Sequence, residues 1–301
     1  MNQGVNIERV GAALGAVLSG IDLRDDLSDA AESVLRDALA EHEVIFLRDQ
    51  QISAERQLEV AEIFGTPSLY PISKLFGATE PECSVIEDTA DSPPTTDNWH
   101  TDVTWIESPP VAALLTALVV PPVGGNTMWA STTAAYDALS DAMKERLDGL
   151  EVLHSNWPGF CETAERKSGV EGLGQKIREQ YPEVVHPLVR THPVTGRRSL
   201  YINASDGGSS TGVMKTIVGM NPGESSAILG FLAEHINQPK FHCRWAWTQY
   251  DLAIWDERVT NHRGVADHHP EHRVVRRCTV DGERPYFDPE VRPSAYSANA
   301  R

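Results

Sequence analysis

Eleven histidines and 43 acidic side chains in 301 residues are ample material for a metal site, so the question is which of them share a binding spacing. The pattern His-x-Asp/Glu occurs at His100-Thr101-Asp102 and at His269-Pro270-Glu271. Composition alone generates about 1.6 such triplets, and the motif therefore carries weight only in context. In an extended segment His100 and Asp102 share one face, about 6.6 Å apart at a rise of ~3.3 Å per residue, and converge on one ion. A third ligand from a distant strand completes a two-histidine, one-carboxylate face with open coordination positions, which suits a non-haem Fe(II) oxygenase. The run His268-His269-Pro270-Glu271-His272 reads instead as an exposed turn.

A second chemistry competes. Gly208-Ser209-Ser210-Thr211-Gly212 matches G-x-S-x-G, and Asp256 and His262 follow in the order of an α/β-hydrolase triad. That nucleophile needs a tight strand-to-helix elbow behind a parallel sheet. Here Ser210 lies in a Gly/Ser-rich loop, residues 205–212, late in the chain and followed by consecutive strands. Such a loop is better read as a lid over a pocket, which leaves a serine hydrolase as the distant alternative. The four cysteines, Cys83, Cys161, Cys243 and Cys278, are at least 35 residues apart without a C-x-x-C pair. They read as reduced thiols of a cytoplasmic protein.

The elements that must position these residues are short apolar runs between turn signals. Strands are expected at 44–47, 112–120, 151–155, 185–191, 199–203, 242–247, 252–255 and 273–280. Helices are expected at 28–41, where Ser28 is an N-cap candidate, and at 54–64, 132–147, 164–179 and 224–236. Consecutive strands after residue 185 favour an antiparallel sandwich or jelly roll with helices packed outside. With 41% hydrophobic residues and no linker, repeat or low-complexity tract, a single domain is expected. In the run Arg273-Val274-Val275-Arg276-Arg277, strand alternation sends Arg273 and Arg277 to one face and Arg276 to the other. A buried guanidinium needs an anionic partner.

Asn98-Trp99-His100-Thr101-Asp102-Val103-Thr104 resembles a segment of the taurine dioxygenase family of iron- and 2-oxoglutarate-dependent oxygenases. The similarity continues at Gly124-Gly125-Asn126-Thr127-Met128-Trp129, Arg190-Thr191-His192-Pro193-Val194-Thr195-Gly196-Arg197, Arg244-Trp245-Ala246-Trp247 and Trp255-Asp256-Glu257-Arg258-Val259-Thr260-Asn261-His262. The resemblance implies a mainly β fold with peripheral helices around a double-stranded β-helix, the cupin-like jelly roll. Its core would span roughly 85–131 and 185–290, with a helical insert at roughly 132–180, in one catalytic domain of residues 1–301. It implies His100, Asp102 and His262 as the ligands and catalytic centre for Fe(II). Thr127 and Arg273 become the partners of 2-oxoglutarate, and Arg277 faces the anionic group of the substrate. It further implies consumption of O₂, conversion of 2-oxoglutarate to succinate and CO₂, and hydroxylation of a small anion. A sulfonate or alkyl sulfate treated in this way releases sulfite or sulfate. The same chemistry on an aryloxy acid or amino-acid derivative is the alternative, and a non-catalytic jelly-roll binding module is a further one. Homo-dimers or homo-tetramers are the expected assembly.

The substrate contacts depart from that family's taurine enzyme. Tyr70-Pro71-Ile72-Ser73 replaces a His-Pro-Val-Tyr segment, Thr96 replaces an asparagine, and Asp206 falls where a phenylalanine lines the substrate. Tyr70, Ser73, Thr96 and Asp206 are therefore candidate substrate contacts for a molecule other than taurine. A net charge of −17 excludes sequence-independent binding to nucleic acid or to an anionic membrane surface. Residues 256–301 are neutral overall, with eight arginines against eight acids, so small anions remain accessible to the site.

Overall fold

The computed structural model describes residues 4–95, 97–204 and 213–293. In chain order its elements are β1 (Asn6–Arg9), β2 (Ala16–Ser19), α1 (Asp29–His42), β3 (Val44–Leu47), α2 (Ala54–Glu62), α3 (Pro71–Leu75), β4 (Ser84–Asp88) and β5 (Ala112–Val119). They continue with β6 (Thr127–Ser131), α4 (Thr132–Asp137), α5 (Asp141–Leu147), β7 (Glu151–Ser155), α6 (Gly159–Ser168), α7 (Leu173–Gln180), β8 (Val184–Pro187), β9 (Val189–Thr191) and β10 (Arg198–Leu200). The last are β11 (Val213–Ile217), α8 (Pro222–Ile236), β12 (His242–Trp245), β13 (Leu252–Asp256), β14 (Thr260–Gly264) and β15 (Arg273–Val280).

A seven-stranded sheet in the order β1-β2-β3-β13-β5-β15-β4 faces a three-stranded sheet, β12-β6-β14. The central strands are apolar on both faces because both faces are covered. Val44, Phe46, Ala113, Leu115, Ala253 and Trp255 point into the space between the sheets, where they meet Trp129 and Trp245. The alternate residues Ile45, Leu47, Leu114, Leu252 and Ile254 pack outward against Leu35, Leu39, Val60 and Ala61 of α1 and α2. Strand period 2 thus builds two cores from one sheet. A third core holds α4 and α8 over β6 and the β11-β7-β8 sheet.

The helices take about as many residues as the strands, so the chain is mixed α/β rather than mainly β. The stretch 132–147 is two helices, because Ser140 opens a new one by accepting from the Met143 amide at 3.3 Å. The stretch 164–179 is likewise two, starting earlier at Gly159 and broken between Gly169 and Gly172, both left-handed. The expected strand 185–191 bends at Leu188 into β8 and β9, which belong to different sheets. Of the strands not expected, β1 is exposed throughout, and β14 (Thr-Asn-His-Arg-Gly) buries polar side chains that carry no apolar period.

Candidate active site

His100 and His262 are brought together by an isolated antiparallel bridge beside β14. The His100 amide donates to the His262 carbonyl at 3.0 Å, and the His262 amide returns the bond at 2.7 Å. This places the two imidazoles 4.1 Å apart between centroids. Asp102 is not on an extended strand. Only His100 makes a ladder bridge, and Asp102 opens a turn in which Val103 takes a left-handed conformation, φ 54°. The turn brings Asp102 Oδ1 within 3.7 Å of His100 Nε2. One ligand atom from each of His100, Asp102 and His262 lies within 4.8 Å of the others, and all three residues are buried.

The donors suit a ferrous ion: two borderline imidazole nitrogens and one hard carboxylate on one face. His100 Nδ1 lies 2.6 Å from the Asn98 carbonyl. A carbonyl only accepts, so Nδ1 carries the proton and Nε2 presents its lone pair to the ion. Burial holds both histidines below the ordinary value and therefore neutral, as ligands must be. Burial also works against the charged form of Asp102. The Arg277 guanidinium outweighs it and holds the carboxyl at about 2.

The turn that carries Asp102 is fixed by a polar frame. Thr101 donates its amide to Asn203 Oδ1 at 3.0 Å and its hydroxyl to the Thr260 carbonyl at 2.7 Å. Asn261 Nδ2 donates to the same hydroxyl at 2.9 Å. Beneath it, Glu257 accepts the Asp102 amide on Oε2 at 3.1 Å and the Trp255 indole N–H on Oε1 at 2.8 Å. Its Oε1 also lies 4.0 Å from His262 Nδ1. Burial, then the Asp102 carboxylate, pushes the Glu257 pKa well up. Apart from its place in the Trp-Asp-Glu-Arg block, nothing in the sequence marks Glu257.

Arg273 and Arg277 leave β15 on the cavity side, and Arg276 on the other. Arg276 donates to Gln57 Oε1 and to the Ile52 carbonyl, both at 2.8 Å, next to α2. Arg277 Nη1 donates to Asp102 Oδ2 at 2.5 Å, and its guanidinium carbon lies 5.7 Å from the Tyr70 ring centroid. Burial pushes the Tyr70 phenol up to about 12. Arg273 donates to the Gly125 carbonyl at 3.1 Å and lies 3.5 Å from Asp88 Oδ2. His268 Nε2 lies 3.4 Å from the same oxygen. His268 is buried at 4% exposure, whereas His269 and His272 are exposed; only part of that run is a surface turn, because His268 turns inward beside Asp88. Thr127 is buried on β6 and accepts the Trp247 indole N–H at 3.0 Å.

A cavity of about 480 Å³ opens onto His100, Asp102 and Arg277. Its walls include Phe76, Trp105, Phe160 and Leu173, with Lys167 at the rim. Tyr70 lines it; Ser73 does not, and donates to Glu82 Oε1 at 3.3 Å. Thr96, Asp206 and Ser210 lie outside the described residues. Asp256 gives no support to a hydrolase triad. Both its oxygens take Arg258, and Oδ2 accepts His192 Nε2–H at 3.0 Å, far from a role beside His262. His192 Nδ1 in turn accepts the Val194 and Thr195 amides, so the Arg-Thr-His-Pro-Val-Thr-Gly-Arg block braces a turn.

A buried face of two histidines and one carboxylate is the ligand set of a non-haem Fe(II) oxygenase. The chain belongs to the taurine catabolism dioxygenase TauD, TfdA family, whose model matches residues 6–279, and its fold is that family's double-stranded β-helix. It is 33% identical over 285 residues to an alkylsulfatase of Acinetobacter baylyi, covering 93% of this chain and 86% of that one. It is 31% identical to an alpha-ketoglutarate-dependent sulfate ester dioxygenase of Pseudomonas putida, over 93% and 91% of the two chains. The crystal structure of a taurine dioxygenase from Burkholderia xenovorans superposes with a TM-score of 0.76 at 30% identity, covering 98% of each chain.

Proposed function

We propose that this dioxygenase hydroxylates a small organic anion with an apolar tail, a sulfate ester or sulfonate, and releases sulfate or sulfite with an aldehyde. The observation that carries the reading is the cavity itself. Arg277 stands at its base beside Asp102, and Phe76, Trp105, Phe160 and Leu173 form an apolar wall above. When bound, Fe(II) with 2-oxoglutarate and O₂ supplies C–H hydroxylation, with 2-oxoglutarate converted to succinate and CO₂. Arg277 takes the anionic head, which sets the adjacent carbon at the metal face. Thr127 and Arg273 receive the distal carboxylate of 2-oxoglutarate; support for this comes from the buried place of the Arg273 guanidinium beside Asp88 and the Gly125 carbonyl. The aromatic wall excludes water from the reacting carbon. The two relatives that act on sulfate esters, by their names, agree in substrate class.

Succinate release with Fe(II) and ascorbate across alkyl sulfates, sulfonates, aryloxyacetates and amino acids tests this. Alkyl sulfates or tailed sulfonates are expected to stimulate most, and a response confined to amino acids rejects the anion role of Arg277. His100→Ala abolishes succinate formation with every compound. Phe160→Ala raises KM for the tailed substrate about tenfold, equivalent to ~1.4 kcal/mol of lost apolar contact, and leaves KM for 2-oxoglutarate unchanged.

A further inference from the structure

The sequence separates its four cysteines, but the fold brings two of them face to face. The antiparallel register of β4 and β15 sets Ser84 opposite Arg277, so the next rung sets Cys83 opposite Cys278. Both thiols leave the sheet on the face turned from the cavity. Cys83 Sγ donates to the Ala54 carbonyl at 3.5 Å, and Cys278 Sγ accepts from Gln57 Nε2 at 3.7 Å, both on α2. There both thiols pack against α2 in one core. Directly opposed residues on antiparallel strands have Cα atoms about 4.5–5.5 Å apart, inside the span a disulfide bridges. Cys278 is buried and Cys83 half-buried, so an oxidant reaches one sulfur while the other stands behind it. The neighbouring Cys278 thiol, helped by the charge of Arg276, also holds the Cys83 pKa down against its burial, which favours the reactive thiolate.

We propose that Cys83 and Cys278 form a peroxide-sensitive dithiol that closes to a disulfide one residue from Arg277. The Cys83 thiolate attacks one oxygen of hydrogen peroxide, breaking the O–O bond to give a sulfenic acid, and the departing hydroxide takes up a proton as water. The Cys278 thiol then attacks the sulfenic sulfur, forms the S–S bond and releases a second water. Two thiols lose two electrons and two protons, and one peroxide is reduced to two waters. The bond ties β4, an edge strand, to β15. That strand supplies Ser84 and Ile86 to the cavity wall and Asp88 to Arg273, so the oxidised link fixes one wall of the active site.

The test uses the full-length protein, iron-loaded and iron-free, treated with a few equivalents of hydrogen peroxide, quenched with catalase and alkylated. Non-reducing peptide mass spectrometry is expected to show a Cys83–Cys278 crosslink. The free-thiol titre in denaturant falls from four to two and returns with dithiothreitol. Cys83→Ser, at a half-buried site that tolerates the change, forms no crosslink and keeps its remaining thiols. Cys83 recovered as sulfinic or sulfonic acid with Cys278 still alkylated, or a crosslink to another cysteine, overturns the proposal.

Discussion

Asp102 shows how much of a metal face is built by residues that never touch the metal. Its amide is taken by Glu257, its outer oxygen by Arg277, and the preceding Thr101 is gripped by Asn203, Asn261 and the Thr260 carbonyl. Glu257→Ala leaves the Asp102 amide and the Trp255 indole without acceptors in a fully buried place. Each such orphan costs ~1–3 kcal/mol, so urea unfolding is expected to show a loss of about 2–6 kcal/mol together with weaker Fe(II) retention. Glu257→Gln retains an amide oxygen that accepts one of the two bonds, and is expected to lose less than half as much. Equal losses in the two variants would show that the charge of the carboxyl, not its acceptor geometry, is what the site uses.

At the scale of elements, the loop between β5 and β6 decides where Arg273 sits. Gly125 adopts a left-handed conformation, φ 65°, and a Cβ there would stand 2.8 Å from Pro121 Cγ and 3.1 Å from Arg273 Cδ. Its carbonyl is the one that receives Arg273 Nε. Gly125→Ala therefore moves the guanidinium as well as straining the backbone by about 1 kcal/mol. The expected result is a rise of at least tenfold in KM for 2-oxoglutarate (~1.4 kcal/mol) with a small drop in melting temperature. Unchanged 2-oxoglutarate kinetics would remove Arg273 from the cosubstrate site. The α6–α7 pair works in the same way on the substrate side: its break at Gly169–Gly172 lets Phe160 and Leu173, on separate helices, face one cavity.

For the whole molecule, burial of titratable groups fixes the pH dependence of stability. His100, His154, His186, His192 and His262 are buried with pKa values lowered mainly by that burial, His186 to about 4. The unfolded chain takes up their protons as pH falls through about 6.5, while the folded protein does not. Their contribution is full above that pH and is lost toward the lowered values. Glu43, raised by burial to about 7, and Glu257 act in the opposite sense, with a contribution full below 4.5 and lost as pH rises. Five groups outnumber two, so the melting temperature of the iron-free protein falls as pH goes from 6.5 to 4.5. A calorimetric midpoint that rises over that interval would contradict the assignment of neutral buried histidines.

The local sequence determined the strongly periodic parts. Runs such as Val44–Leu47 and Leu252–Trp255 are apolar over their whole length, and Ser28 caps α1 as its side chain predicts, accepting the Ala31 amide. It also determined the ligand types, because His100-Thr101-Asp102 and the block ending in His262 carry chemistry that few other residue types supply. Only the tertiary structure decided how they meet: a turn with Val103 left-handed, a single bridge from His100 to His262, and a buried Glu257 beneath both. It likewise set Asp88 and His268 beside Arg273, and Cys83 opposite Cys278. Periodicity reports which face of an element is apolar. Polar partners far apart in the chain leave no period, and their pairing is fixed by strand register and sheet packing alone.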